Sequence, residues 1–283
     1  MKRILTLLIA VVLLPEICSL DAAEAIVADH TAVTQFSLIP KAAIDAAAAK
    51  RVLFYHQSTG NNVRDQGLGC LAGQNGETSV YPDECLEYWN NRQANTWPYY
   101  VFSNWNWPIW PEPMADAVAK MNQFVTLVNQ QQSGYQYIGM KFCYVDGWNE
   151  DFADYRTKME SLERAYPSKT FIWTTSALWG ESHINCQDIQ AFNTSLRAYA
   201  RANNKLLFDL ADIESRGNTC RINGCEALCS DYQDGYGGGG GGHPDVEGSM
   251  AIAKGFWWLM ARASGWSGVP AAVDPPNNLR IIP

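Results

Sequence analysis

Short apolar runs alternating with amphipathic stretches predict an α/β fold, a three-layer sandwich around a mainly parallel sheet. Runs of strand length, apolar throughout as buried strands are, lie at residues 52–55, 137–145, 170–175 and 206–210. Stretches with apolar residues three and four apart lie at 114–128, 152–166, 189–202 and 250–263. Ligands of open sheets of this kind sit beyond the carboxyl ends of the strands, so chemistry is sought just after each strand.

The chain opens with Lys2 and Arg3, an apolar run over residues 4–14, Pro15, and a polar stretch that closes on small residues near Ala22 to Ala25. That order predicts a secretory signal peptide over residues 1–25, removed to leave a single domain over 26–283. The apolar run is too short to span a bilayer, which takes about 20 residues. The protein is 47% hydrophobic and carries a formal charge of −8. This balance opposes non-specific attraction to nucleic acid or anionic membranes.

Of the eight cysteines, Cys18 falls in the leader. In an oxidising compartment those in loops are expected to pair, Cys70 with Cys85 and Cys186, Cys220, Cys225 and Cys229 among themselves, in an order that spacing does not fix. Cys143 sits inside an apolar run and is expected to be a buried free thiol. A zinc site on Cys220, Cys225 and Cys229 lacks a paired CxxC or a histidine at ligand spacing, so no metal is expected.

Two stretches break the alternation. Residues 97–110 read WPYYVFSNWNWPIW. This is either a loop folded over the core or a wall for stacking sugar or holding an acyl group, with Trp105, Trp107 and Trp110 as the candidate substrate contacts. Residues 237–242 are six glycines, but the run ends in His243 and Pro244 rather than the Gly-Lys-Ser or Gly-Lys-Thr of a phosphate loop. A mobile surface loop is the expectation.

The first strand leads directly into His56, Gln57, Ser58, Thr59 and Gly60. A serine in a tight turn at a strand end can present its hydroxyl at the sheet's carboxyl edge while its own N–H helps to bind an oxyanion. A hydroxyl is a poor nucleophile near neutral pH and needs a base, for which imidazole is suited. His243 stands in a loop before the last predicted helix, at about residues 246–263. Of the other histidines, His30 lies near the expected mature start, His183 lacks a strand-end context, and His56 points away from Ser58 if the strand's alternation continues.

At these positions the chain resembles the SGNH, or GDSL-like, hydrolases, in particular an exported bacterial branch with an H-x-S-x-G first block. The matching segments are His56 to Gly60, the KFCYVD run from Lys141 to Asp146, Phe208 to Ser215, and Gly241 to His243. The resemblance implies the SGNH-hydrolase (flavodoxin-like) architecture, with Ser58 as nucleophile and His243 as base. The family usually has Asp three residues before the histidine, where this chain has Gly240. Asp234, displaced by inserted residues, is the leading candidate acid, since doubling a flexible loop adds only about 0.6 kcal/mol. Asp231 and Asp245 are alternatives, the latter equally suited to cap the last helix. The oxyanion is expected to meet the Ser58 N–H, Gly60 and Asn62, with Asn104 and Asn106 as further amides, because Asp146 stands where the family's asparagine block ends. Asp209, Asp212 and Glu214 are read as solvated turn residues.

The resemblance thus implies an exported serine esterase with no cofactor and a small-molecule or carbohydrate ester as substrate. It implies no nucleic-acid or membrane partner, and a monomer. A non-catalytic carbohydrate-binding protein on the same fold and an acyltransferase are the competing expectations.

Overall fold

The computed structural model describes residues 24–74, 83–96, 98–111, 116–146, 150–180, 186–233 and 242–268. The expected leader falls almost wholly outside these residues, as do Trp97, His183, Asp234 and glycines 237–241.

The strands are β1 (Val27–Ala28), β2 (Val52–Tyr55), β3 (Trp105–Asn106), β4 (Tyr137–Met140), β5 (Thr170–Thr174) and β6 (Leu206–Phe208). They form one sheet in the order β1-β6-β5-β4-β2-β3, with every pairing parallel. Read from β3, the first five strands follow the flavodoxin-like order, and β1 is added beside β6. The chain leaves β2 for β3 on one side and returns to β4 on the other, so the switch point of the sheet lies at the carboxyl end of β2.

The helices before the aromatic loop are α1 (His30–Gln35), α2 (Lys41–Ala48), α3 (Thr59–Asn62), a π turn over Val63–Leu68, α4 (Gly69–Leu71) and α5 (Asp83–Gln93). After it come α6 (Ala117–Gln131), α7 (Phe152–Ala165), α8 (Cys186–Ala202), α9 (Leu210–Glu214) and α10 (Val246–Ala263). A small antiparallel hairpin, β7 (Arg221–Ile222) with β8 (Cys225–Glu226), lies between the last two.

Strand side chains alternate between two cores, as the two-residue period requires. Val52, Phe54, Ile172, Leu206 and Phe208 face α1, α2 and α10. Leu53, Tyr55, Ile138, Met140, Phe171 and Trp173 face α6, α7 and α8. The latter helices are amphipathic, whereas α10 is buried along most of its length, from Gly248 to Ala261, and is correspondingly apolar on nearly every side. Its first turn is closed by Asp245, whose carboxylate accepts the Gly248 N–H at 2.8 Å.

Disulfides join Cys70 to Cys85, Cys186 to Cys225 and Cys220 to Cys229. Cys143 is buried and unpaired with any other cysteine. Among the described residues, no helix is long and apolar enough to cross a membrane.

Candidate active site

The turn after β2 is fixed from its first residue. The backbone N–H of His56 donates to Pro108 O at 3.1 Å, and its carbonyl accepts the Trp110 N–H at 3.0 Å. Its ring donates from Nε2 to Trp107 O at 2.9 Å. Burial lowers its pKa to about 4, so the ring is neutral near pH 7 and Nε2 carries the proton. His56 is thus a wholly buried brace beneath the turn. Gly60 lies against it so closely that a Cβ there would sit 2.4 Å from the His56 Cβ, which is why glycine occupies this position.

Between these two residues Ser58 adopts φ 54° and ψ −113°. A non-glycine residue held at positive φ costs on the order of 1–3 kcal/mol and persists only where its surroundings over-determine it. The conformation turns the hydroxyl away from its own helix, which it does not cap. The Ser58 Oγ lies instead 2.5 Å from Nε2 of His243. With Nε2 unprotonated, the hydroxyl donates to it.

His243 is held at this point because the two residues directly after it are clamped. Asn62, on the helix that Ser58 begins, donates from Nδ2 to Pro244 O at 3.0 Å. Pro244 pairs antiparallel with Gln233, and the Asp245 N–H donates to Tyr232 O at 2.7 Å. Tyr144 stands beside the imidazole, ring centres 6.3 Å apart, and the half-buried Trp179 packs edge-on against Tyr144 at 4.0 Å.

Ser58 and His243 are therefore brought together, while the other expected site residues are placed differently. Asp231 pairs with Arg216 at 2.6 Å, and Asp245 is the cap of α10. Asp234 lies outside the described residues, directly after Gln233 in the chain. Two of the expected oxyanion donors already have partners within the fold. The Gly60 N–H donates to Gln57 O at 3.1 Å to close the turn, and the Asn62 amide holds Pro244. The Ser58 N–H makes no hydrogen bond among the described residues. Asn104 donates to Ala48 O and Asn106 to the Tyr135 hydroxyl, both beside the start of β2 at the opposite edge of the sheet.

The expected tryptophan wall is also corrected. Trp105, Trp107 and Trp110 are only 5%, 5% and 2% exposed. Trp105 lies on Trp257, Trp107 on Phe54 and Phe256, and Trp110 on Tyr55. The run folds over the core because β3 is threaded through it. Asp209 and Glu214, expected to be solvated, are fully buried. Asp209 binds Arg197 and caps α9, and Glu214 accepts the Leu178 N–H at 2.6 Å. Asp212 pairs with His30.

Sequence reasoning missed two buried lysines. Lys120 pairs with Asp146 at 2.6 Å, both fully buried, and the same carboxylate oxygen accepts the Cys143 N–H. Asp146 thus pins the turn after β4, and burial raises its pKa against the pull of Lys120. Lys141 hydrogen-bonds to the Thr59 hydroxyl, next to Ser58. A lysine inside the apolar run YIGMKFCYV was the available signal.

No protein-family model matches the chain, and no curated protein does. Solved structures of similar outline include a protein assigned to the G-D-S-L lipolytic family from Desulfitobacterium hafniense, at 8% identity and TM-score 0.44, covering 74% of this chain and 98% of that one. Another, described as an acylhydrolase from Bacteroides fragilis, is 14% identical with TM-score 0.48, covering 82% and 95%. A third, an acetyl-xylooligosaccharide esterase from Geobacillus, is 13% identical with TM-score 0.43, covering 79% and 97%. Ser58 and His243 themselves carry the chemistry argued below.

Proposed function

We propose that this protein is an exported SGNH-type serine esterase that works by acyl transfer to water. The observation that carries the reading is the 2.5 Å contact between Ser58 Oγ and His243 Nε2, which is within the reach a general base needs. His243 takes the hydroxyl proton as Ser58 Oγ bonds to the ester carbonyl carbon. The resulting oxyanion meets the Ser58 N–H. As the intermediate collapses, the bond to the leaving oxygen breaks and His243 returns the proton to it. Water then attacks the acyl-enzyme, again deprotonated by His243, releasing the acid and restoring Ser58.

Asp234 is the acid proposed to orient His243. Its chain neighbour Gln233 pairs with Pro244, next to the imidazole, which supports the assignment. Three disulfides support an oxidising compartment and hence export. The proposed substrate is an ester of a small acyl group, with acetylated carbohydrate as the leading class. A half-buried aromatic at the site, Trp179, packs against Tyr144 and is offered to the substrate.

Purified protein and Ser58→Ala are compared on short-chain acyl nitrophenyl esters and on acetylated sugars. The wild type is expected to turn over at least one of these, and Ser58→Ala to lose about a thousandfold or more, in line with loss of a serine nucleophile elsewhere. Equal background rates for the two proteins would reject the esterase.

A further inference from the structure

We propose that Lys141 is a positioning residue for the nucleophile, holding Thr59 so that Ser58 keeps its positive-φ conformation with the hydroxyl on His243. The inference rests on the esterase reading for its catalytic consequence, though not for its geometry.

Lys141 follows β4 directly and extends its ladder, its N–H donating to Tyr55 O at 3.1 Å. Ile138 and Met140 point to the α6 side of the sheet, so strand alternation sends Lys141 to the other side, under α3. The side chain is only 3% exposed. Its ammonium donates to Thr59 Oγ1 and, at 3.5 Å, to Phe142 O. Asp146, a nearby carboxylate, bonds to Lys120, and among the described residues no carboxylate forms a contact ion pair with Lys141. A cation buried without a contact ion pair is costly, and an apolar residue of similar length would fill the space at lower cost. Stability therefore does not explain the lysine, and its one side-chain partner among the described residues lies beside the nucleophile.

The turn needs such an anchor. On the N-terminal side of Ser58, three hydrogen bonds hold His56. On the C-terminal side, the backbone bonds Gly60 N–H to Gln57 O and Asn61 N–H to Ser58 O stay within the turn itself. The link from Thr59 to Lys141 ties the residue after Ser58 to a different strand. Thr59 is itself 1% exposed, so its hydroxyl has the ammonium in place of water.

The test measures kcat, KM and melting temperature for Lys141→Met, Thr59→Val and Thr59→Ser. Lys141→Met and Thr59→Val are expected to lower kcat by about tenfold to hundredfold, the range expected when a reacting group is misplaced by roughly 1 Å, with KM little changed. Thr59→Ser keeps the hydroxyl and is expected to restore kcat. If Lys141→Met fails to fold, the two Thr59 variants carry the comparison. An active wild type with kcat unchanged in Thr59→Val would overturn the inference while leaving the esterase intact. A wild type without esterase activity would reject the esterase instead. The geometry is then judged by a crystal structure of Thr59→Val, in which Ser58 still at its wild-type φ with its hydroxyl on His243 overturns the inference.

Discussion

The neighbours of Ser58 hold it at positive φ with its hydroxyl on His243. His56 fills the space under the turn, and Gly60 is the only residue small enough to pass over it. A methyl group at position 60 would press on the His56 Cβ and ring, both held by backbone hydrogen bonds, so the turn would have to move. Gly60→Ala is expected to destabilise the protein by about 1–3 kcal/mol, the usual cost of forced overpacking. It should lower esterase activity by more than the fraction unfolded accounts for, because the displaced atoms lie two residues from the nucleophile. Urea titration and steady-state kinetics on one preparation check this. An alanine variant with wild-type midpoint and rate would show that the contact is not a constraint.

The elements legible in the sequence were those with a strong period or a long apolar run. All four central strands lie where the runs placed them, with β2 matching residue for residue and the others ending earlier. The last helix spans the expected residues 246–263. The edge strands β1 and β3 escaped because two residues carry no periodicity, and β3 is hidden among aromatics that read equally well as a surface wall. Ser58 and His243 were legible because each sits at an element boundary. The partners of Gly60, Asn62, Lys141 and Asp146 were not, since the fold supplies them from distant parts of the chain or from within a tight turn. The π turn behind α3 is another such feature. Gly67 in it lies so close to α10 that a Cβ would fall 2.3 Å from the Ser249 carbonyl oxygen. That neighbour is helix backbone and cannot swing aside. Gly67→Ala is expected to cost at least as much as Gly60→Ala, at about 2–3 kcal/mol, read as a lower urea midpoint. An unchanged midpoint would mean that α10 is not seated on this turn.

Across the whole molecule, buried ionisable groups tie stability to pH. Burial raises the carboxyls of Glu150 and Glu214 from 4.5 to about 8 and lowers His56 from 6.5 to about 4. Between pH 4.5 and 8 the folded protein holds carboxyl protons that the unfolded chain releases, so these two groups make stability fall as pH rises. Between pH 4 and 6.5 the folded state lacks the His56 proton that the unfolded chain binds, so that group makes stability rise. From pH 6.5 to 8 the carboxyls act unopposed by His56. The urea midpoint is expected to fall across this window. Glu150→Gln and Glu214→Gln are each expected to flatten the fall, and glutamine at 214 can still accept the Leu178 N–H. A wild type with no fall, or variants with the same slope, would place those carboxyls in a more polar setting.

The proposed activity requires Ser58 to be a nucleophile activated by His243. The most direct measurement is reaction with a fluorophosphonate, followed by proteolysis and mass spectrometry to locate the adduct. A single phosphonylated residue is predicted, Ser58, with no adduct in Ser58→Ala and much slower labelling in His243→Ala. An unlabelled wild-type protein, or an adduct on any other residue, would contradict it.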